Sequence, residues 1–234
     1  MTESWLEEAV RVCSLPSSST FPRELADDIG MSLPITLVDL PGLTSERVRD
    51  WLSSRGHVHS GLPVKNRRLH GCMVARAGKG VLFYDSEDDK AEQRFTLAHE
   101  VAHFVLDHLL PRARAVRAFG RSILPVLDGQ RAPSPEQAVF SVFERVSLGM
   151  NVRLMDRSTS GAICTGKAVE AEQRADRLAF ELLAPECSVL PLLQSVPEKD
   201  VAAELASRFG LPLREAGSYA RLLIARGRTR RPLF

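Results

Sequence analysis

The sequence predicts an α+β fold, with a small, mostly antiparallel sheet packed on two buried helices and a helical C-terminal part. Two short β-rich runs, LHGCMVARA and GVLFYD, are joined by Gly78-Lys79-Gly80 and predict a hairpin. Two long segments, 88–110 and 167–185, carry apolar residues at helical spacing and predict buried helices. The stretch 198–226 has the pattern of a helix, a turn at Gly210 and a second helix.

The composition is that of an ordinary globular protein. The chain has 234 residues, of which 44% are hydrophobic and 26% charged, which excludes disordered, collagen-like and disulfide-framework classes. Four scattered cysteines without a CxxC pair predict reduced thiols and a cytoplasmic localisation. Glutamates near the N-terminus argue against a signal peptide, and the absence of a long apolar stretch argues against a membrane partner.

The N-terminal part, residues 1–60, is predicted to be a helical segment. Residues 3–13 have the pattern of one short amphipathic helix. A second helix is expected over 45–56, with Thr44 or Ser45 as its N-cap, because a hydroxyl oxygen can accept a hydrogen bond from a free N–H of the first turn.

The middle part, residues 61–190, contains the hairpin and both buried helices. The first of these helices has a charged first turn, and Pro111 directly after it is expected to end it. Residues 111–166 are less regular, with one helix predicted over 134–148 and one strand over 150–156.

The first buried helix contains the motif His99-Glu100-Val101-Ala102-His103. Residues four apart lie on one face of a helix, so the two imidazoles can bind one metal ion. Glu100 then lies beside the ion, where it can take a proton from a metal-activated water. The alternative, two histidines that only pack in the core, is disfavoured because burying them with a carboxylate costs several kcal/mol unless they are paired.

A catalytic zinc needs a third protein ligand and one open position. The second buried helix offers Glu172, followed by the small residue Ala175, which permits close helix packing, and by Asp176 on the same face. A carboxylate at Asp176 can accept the other ring N–H of a liganding histidine and orient its ring. Glu170 and Glu181 are the competing carboxylates, but Gln173 and Arg174 follow Glu170 at those spacings, and Glu181 faces elsewhere.

Two other uses of the histidines are less consistent with the sequence. A third histidine in the HExxHxxGxxH manner is excluded because Leu106 and Leu109 stand at the required positions, and His108 is expected to be a capping or surface residue. A structural zinc site without a reaction is disfavoured because such sites have four protein ligands, usually including cysteine. None of the cysteines falls beside the ligands in either helix.

The phrases RFTLAHEVAHFVLDH (94–108) and EQRADRLAFELLAP (172–185) resemble the ImmA/IrrE family of intracellular zinc metallopeptidases. The resemblance implies a zincin-like metallopeptidase fold, with zinc bound by His99, His103 and Glu172 and with Glu100 as the catalytic base. The usual asparagine of the second family phrase falls on Asp176. The spacing between the phrases is longer than is usual in the family, which makes residues 111–166 an insertion.

The function predicted is that of a zinc-dependent endopeptidase. A metal-activated water attacks the peptide bond, Glu100 acts as general base, and Tyr84, His70 and residues of the insertion are candidates to stabilise the oxyanion. The family resemblance further implies that the substrate is a protein, a cytosolic helix-turn-helix transcriptional repressor.

A different class of function, a non-catalytic DNA-binding or ligand-sensing regulator that keeps the metallopeptidase fold, has support only from the C-terminal part. Residues 191–234 contain the two helices around Gly210 and an arginine cluster, formed by Arg226, Arg228, Arg230 and Arg231. A frayed, solvated end and a packing role for the helices are the alternatives. The net charge of +2 gives no general attraction to nucleic acid.

Overall fold

The computed structural model describes residues 4–57, 61–143, 148–157 and 166–229, and it confirms the α+β class. Four strands of these residues form one mixed sheet in the order β1-β3-β2-β4. The strands are β1 Ile35–Leu40, β2 Leu69–Arg76, β3 Lys79–Asp85 and β4 Asn151–Asp156. Only β1 and β3 run parallel, so the sheet is mostly antiparallel, as predicted.

Helices surround this sheet and form the larger part of the described chain. In chain order they are α1 Ser4–Cys13, α2 Leu25–Ser32, α3 Ser45–Ser53, α4 Lys90–His103, α5 Leu110–Phe119, α6 Leu124–Leu127, α7 Pro135–Phe143, α8 Gly166–Leu183, α9 Glu186–Ser195, α10 Val201–Phe209 and α11 Leu213–Thr229. Thr44 caps α3, since its side chain accepts a hydrogen bond from the Arg47 N–H. Helix α4 packs on β2 and β3 with one side and on α8 with another.

The sheet contains strands from segments that the sequence prediction kept apart. Strand β1 comes from residues 1–60, which therefore are not only a helical segment, and β4 comes from residues 111–166. Buried residues of α1, α4, α8 and α11 also belong to one hydrophobic core. The run ITLVDL, bounded by Pro34 and by Pro41-Gly42, has the composition of a strand, although the sequence prediction did not include it.

The hairpin turn lies one residue earlier than the sequence predicted. Ala77 and Gly78 are the turn residues, with φ of 52° and 79°, whereas Lys79 and Gly80 belong to β3. A two-residue hairpin turn of this kind needs two consecutive residues in the left-handed region. Glycine adopts that conformation readily, but Ala77 also accepts it here.

The first buried helix does not end at Pro111, which corrects the prediction. After α4, residues Phe104–Leu109 form a π-helical segment, and α5 continues from Leu110. Pro111 lies in the first turn of α5, directly after the π segment, so the change from π to α hydrogen bonding coincides with the residue that has no N–H. In the wider π turn the Leu110 N–H donates to the Val105 carbonyl, and the segment separates the two α-helices.

Helices α10 and α11 form the predicted pair, with Gly210 in the left-handed region at φ 64°. They pack on the common core: Tyr219 of α11 is fully buried, and its hydroxyl donates to the Ala184 carbonyl at 2.9 Å. Arg94 of α4 donates to the Gly210 carbonyl at 3.0 Å. Among the described residues, no helix is long and apolar enough to cross a bilayer.

Candidate metal centre

Helix α4 carries the predicted motif in the interior of the protein. Asp89 caps its start by accepting a hydrogen bond from the Glu92 N–H. The approach of α4 to the sheet depends on Gly71 of β2: a Cβ there would lie 2.5 Å from the Thr96 Cγ2 and 3.1 Å from the Glu100 Cγ. The missing side chain therefore lets α4 pack close to β2 at the level of Glu100.

Helix α8 packs against α4 through its small and apolar residues, of which Ala175 and Ala179 are fully buried. Glu172 lies one turn before Ala175, and its side chain is directed at the two histidines of α4 while remaining 52% exposed. The close approach of the helices at Ala175 thus brings two carboxylates of α8, Glu172 and Asp176, to the histidines of α4.

The structure brings His99, His103 and Glu172 together. One Glu172 oxygen, Oε2, lies 3.3 Å from the His99 Nε2 and 3.4 Å from the His103 Nε2, and the donor atoms of the three residues all lie within 4.8 Å of one another. Ligands about 2.05 Å from a tetrahedral ion are about 3.3–3.4 Å apart. These three side chains can therefore hold a metal ion.

Each histidine has a carboxylate behind it that orients its ring. The His99 Nδ1 lies 3.0 Å from the Asp176 Oδ1, and the His103 Nδ1 lies 3.0 Å from the Asp107 Oδ2. An ionised carboxylate only accepts hydrogen bonds, so both Nδ1 atoms donate, and in neutral rings both Nε2 lone pairs face Glu172. Lone pairs that face a carboxylate oxygen repel it unless a proton or a cation lies between them, which is the property of a cation site.

The charges in the cluster are strongly coupled. Hydrogen bonds to both histidines lower the pKa of Glu172. Burial lowers the pKa of His99 and His103, but hydrogen bonds to the surrounding carboxylates outweigh it and raise both pKa values. Without an ion, the cluster therefore attracts protons, and a metal ion would take their place.

Glu100 is buried next to the cluster, with 1% of its surface exposed. Its Oε2 has no hydrogen-bond partner among the described residues. Burial raises the pKa of Glu100 to about 7, although the positive charges of His103 and His99 lower it. An unpartnered carboxylate oxygen beside three convergent metal-binding atoms has no packing explanation and suits a group that exchanges protons with a ligand.

His108 is a buried residue and not, as the sequence predicted, a capping or surface residue. It is 5% exposed, and its Nε2 accepts a hydrogen bond from the Gly78 N–H of the hairpin turn at 3.0 Å. Burial lowers the pKa of His108 to about 4, with a further contribution from Arg112. The π segment turns this side chain toward the hairpin, which an α-helical projection of the sequence cannot show.

The other residues singled out by the sequence are not among the convergent ligands of the described residues. His70 bonds to Asp88 at 2.8 Å, Tyr84 packs against the core, and Glu181 pairs with Arg177 at 3.0 Å. Glu170, also on α8, is not among the convergent ligands that the described residues form.

In the C-terminal part, Arg226 lies 3.4 Å from Glu186. Arg230, Arg231 and the Arg228 side chain fall outside the described residues, as do His59 and Cys164.

Two residues of the site were missed by the sequence reasoning. Asp107, which holds His103, could have been found from its position four residues after His103 on the same helix. Arg153 of β4 lies 3.0 Å from Asp107, and no sequence signal connects it with the motif because the contact depends on the sheet.

Residues 58–122 match the model of a peptidase family described as the IrrE N-terminal-like domain. The match includes His99, Glu100 and His103 and ends before Glu172. It confirms the resemblance to the ImmA/IrrE type that the sequence phrases carry. The comparisons with curated proteins and with solved structures gave no match.

Proposed function

We propose that this chain, whose IrrE N-terminal-like domain makes it a metallopeptidase-like protein of the ImmA/IrrE type, is a zinc-dependent endopeptidase. One observation carries the proposal. The Glu172 Oε2 lies 3.3 and 3.4 Å from the Nε2 atoms of His99 and His103, and beside them lies a buried carboxylate, Glu100, whose Oε2 has no hydrogen-bond partner within the described part of the chain. This is the arrangement that a metal-assisted hydrolysis requires.

The donor set favours zinc in a catalytic role. Two imidazoles and one carboxylate are typical of catalytic zinc sites, whereas structural sites have four protein ligands and usually cysteines. His99, His103 and Glu172 would hold the ion and leave one position open for water or substrate. When bound there, zinc supplies Lewis acidity, which acidifies water and polarises the scissile carbonyl.

The protein groups supply the proton transfers and the rigidity. Glu100 takes the proton of the attacking water at its free Oε2 and delivers it to the nitrogen of the leaving amine. Asp176 and Asp107 keep the histidine rings in the orientation that directs Nε2 at the ion. Gly71 keeps the backbone of β2 close enough to hold the Glu100 side chain in place.

The proposed substrate is a protein, a cytoplasmic helix-turn-helix repressor cut at one or a few sites. The support for this substrate is the family resemblance, since regulators of this type inactivate such repressors. The open side of the cluster, where Glu172 is half-exposed, is compatible with a polypeptide substrate that approaches from solvent.

The decisive experiment compares Glu100→Gln with a matched control, Glu170→Gln, which removes a carboxylate of α8 outside the cluster. We expect the wild type and both variants to bind one zinc per chain, measured by metal analysis after dialysis. Only Glu100→Gln should lose cleavage of a repressor encoded beside the gene, seen as a missing discrete fragment. Cleavage that survives in Glu100→Gln would refute the general base.

A second measurement tests the metal itself. His99→Ala should abolish zinc binding, because the two remaining ligands leave the site incomplete. A wild type that binds no zinc, or a His99→Ala variant with full zinc content, would refute the proposed centre independently of any substrate.

A further inference from the structure

Arg153 lies on β4, the edge strand nearest the metal cluster. In the sheet it stands opposite Met73 of β2, and two residues further on Met155 stands opposite Gly71, the residue that adjoins Glu100. Met73 belongs to the core beneath α4, and side chains two apart on a strand share a face. Arg153 therefore projects from the face of the sheet that carries α4, at its open edge.

The guanidinium of Arg153 is held by the same carboxylate that orients His103. Its Nη2 lies 3.0 Å from the Asp107 Oδ2, the same oxygen that accepts from the His103 Nδ1 at 3.0 Å. Charge-assisted hydrogen bonds of this kind are among the strong ones. The contact orients the arginine toward the cluster and limits its movement.

Part of the guanidinium remains available for a ligand. The Nε atom is buried and has no hydrogen-bond partner among the described residues, while 37% of the side chain is exposed. The exposed part of the side chain lies beside the cluster, so the guanidinium can donate to an acceptor that arrives with a ligand. A peptide backbone offers carbonyl oxygens, which are such acceptors.

We propose that Arg153 is a substrate-binding residue, whose guanidinium donates a hydrogen bond to a backbone carbonyl oxygen of the peptide next to the scissile bond. This inference rests on the proposed function, because it places the peptide at the same cluster. Arginine suits the role better than lysine, since its planar fork can keep the Asp107 bond and still present a second donor in a fixed direction.

The test uses two zinc ligands of different size with the full-length, zinc-loaded protein. Acetohydroxamic acid reaches only the zinc, whereas N-phosphoryl-leucyl-tryptophan also carries a peptide carbonyl past the ion. We expect Arg153→Met to weaken the phosphoryl dipeptide about 10–100-fold, the effect of one lost hydrogen bond to a charged group, and to leave acetohydroxamic acid unchanged. Both affinities are measured by calorimetry.

A matched control is Arg67→Met, which removes another ion pair at the same edge of the sheet. Arg67 lies 2.9 Å from Asp156 of β4, and its side chain is 48% exposed. Arg67→Met should leave the affinities for acetohydroxamic acid and for the phosphoryl dipeptide unchanged. Arg153→Lys, which keeps a positive charge for Asp107, should fold and bind zinc as the wild type does and still bind the phosphoryl dipeptide more weakly.

The outcomes separate this inference from the proposed function. If Arg153→Lys and Arg153→Met bind both probes as tightly as the wild type, or if they lose zinc and both probes together, Arg153 only supports Asp107 and the inference is wrong. A wild type that binds zinc and acetohydroxamic acid but not the phosphoryl dipeptide also contradicts it. A wild type without zinc contradicts the proposed function itself.

Discussion

The two helices that carry the proposed metal ligands differ in how firmly the protein holds them. Helix α4 lies between the sheet and α8, and its His99 and His103 are only 5% and 3% exposed. Helix α8 packs on α4 through Ala175 but leaves the side chains of Glu172 and Asp176 about half exposed. The comparison indicates that the histidines form the rigid half of the site, while the carboxylates form the half that faces solvent.

The carboxylates that orient the two histidine rings also differ in where they come from. His103 is oriented by Asp107, four residues later on its own helical segment, whereas His99 is oriented by Asp176 from the other helix. The orientation of His103 is thus a local property. The orientation of His99 depends on the packing of α8 against α4, so a change that separates the helices affects His99 first.

The largest effect is expected from removing the ligands themselves. His103→Ala should abolish zinc binding, because it removes a rigid buried ligand. Glu172→Gln leaves an amide oxygen, a weak ligand, on the exposed half. It should still bind zinc, but with an affinity reduced by more than about 100-fold, since losing a partner that only orients a ligand already reduces the affinity by up to that factor. Chelator competition measures both, and an unchanged zinc affinity in Glu172→Gln would show that α8 supplies no ligand.

Gly71→Ala tests how closely α4, which carries the two histidines, packs on the sheet. The added Cβ would lie 2.5 Å from the Thr96 Cγ2, so we expect a loss of about 3 kcal/mol in the free energy of unfolding, at the upper end for overpacking. The control is Gly30→Ala in α2, where a Cβ meets nothing within 4 Å and a gain of about 0.4–1 kcal/mol is expected. Urea unfolding that ranks the two variants equally would contradict the close approach of α4.

Substitutions of Asp107 and Asp176 test how much the orientation of each histidine ring contributes to zinc binding. Asp107→Asn and Asp176→Asn should each reduce zinc affinity about 10–100-fold. Asp107→Asn should have the larger effect, because Asp107 is 22% exposed and Asp176 is 45% exposed, and because it also releases Arg153. Wild-type affinity in both variants would show that the rings need no orienting partner.

The smallest effect concerns His108, at the end of the π segment that follows α4. Burial lowers its pKa from 6.5 to about 4, so between these values the unfolded chain binds more protons than the folded one. Its contribution to stability is present above pH 6.5 and is lost as the pH falls, by about 2 kcal/mol between pH 7 and pH 5.

His108→Gln serves as the control, since its amide oxygen can still accept the Gly78 N–H and does not titrate in this range. Its stability should fall about 2 kcal/mol less than that of the wild type over the same pH interval. Equal pH dependence of the two proteins, measured by urea unfolding, would mean that His108 is not buried in its neutral form.

The sequence alone predicted those features that depend on local periodicity. Helical spacing placed His99 and His103 on one face with Glu100 beside them, and the spacing of Ala175 and Asp176 singled out Glu172 on the second helix. The α+β class followed from the same patterns. Such predictions are possible because a helix repeats every 3.6 residues whatever surrounds it, so the relative directions of nearby side chains are known before the fold is.

The tertiary structure decided everything that joins distant parts of the chain. It paired residues 35–40 with β3, brought β4 to the edge beside α4, continued the helix through a π segment past Pro111, and placed Arg153 against Asp107. No local pattern encodes these contacts, because a strand gains its stability from the neighbour it pairs with and a charged side chain from the partner it meets. The sequence therefore determined which residues could bind a metal, and the packing of α8 and the sheet on α4 decided that three of them meet.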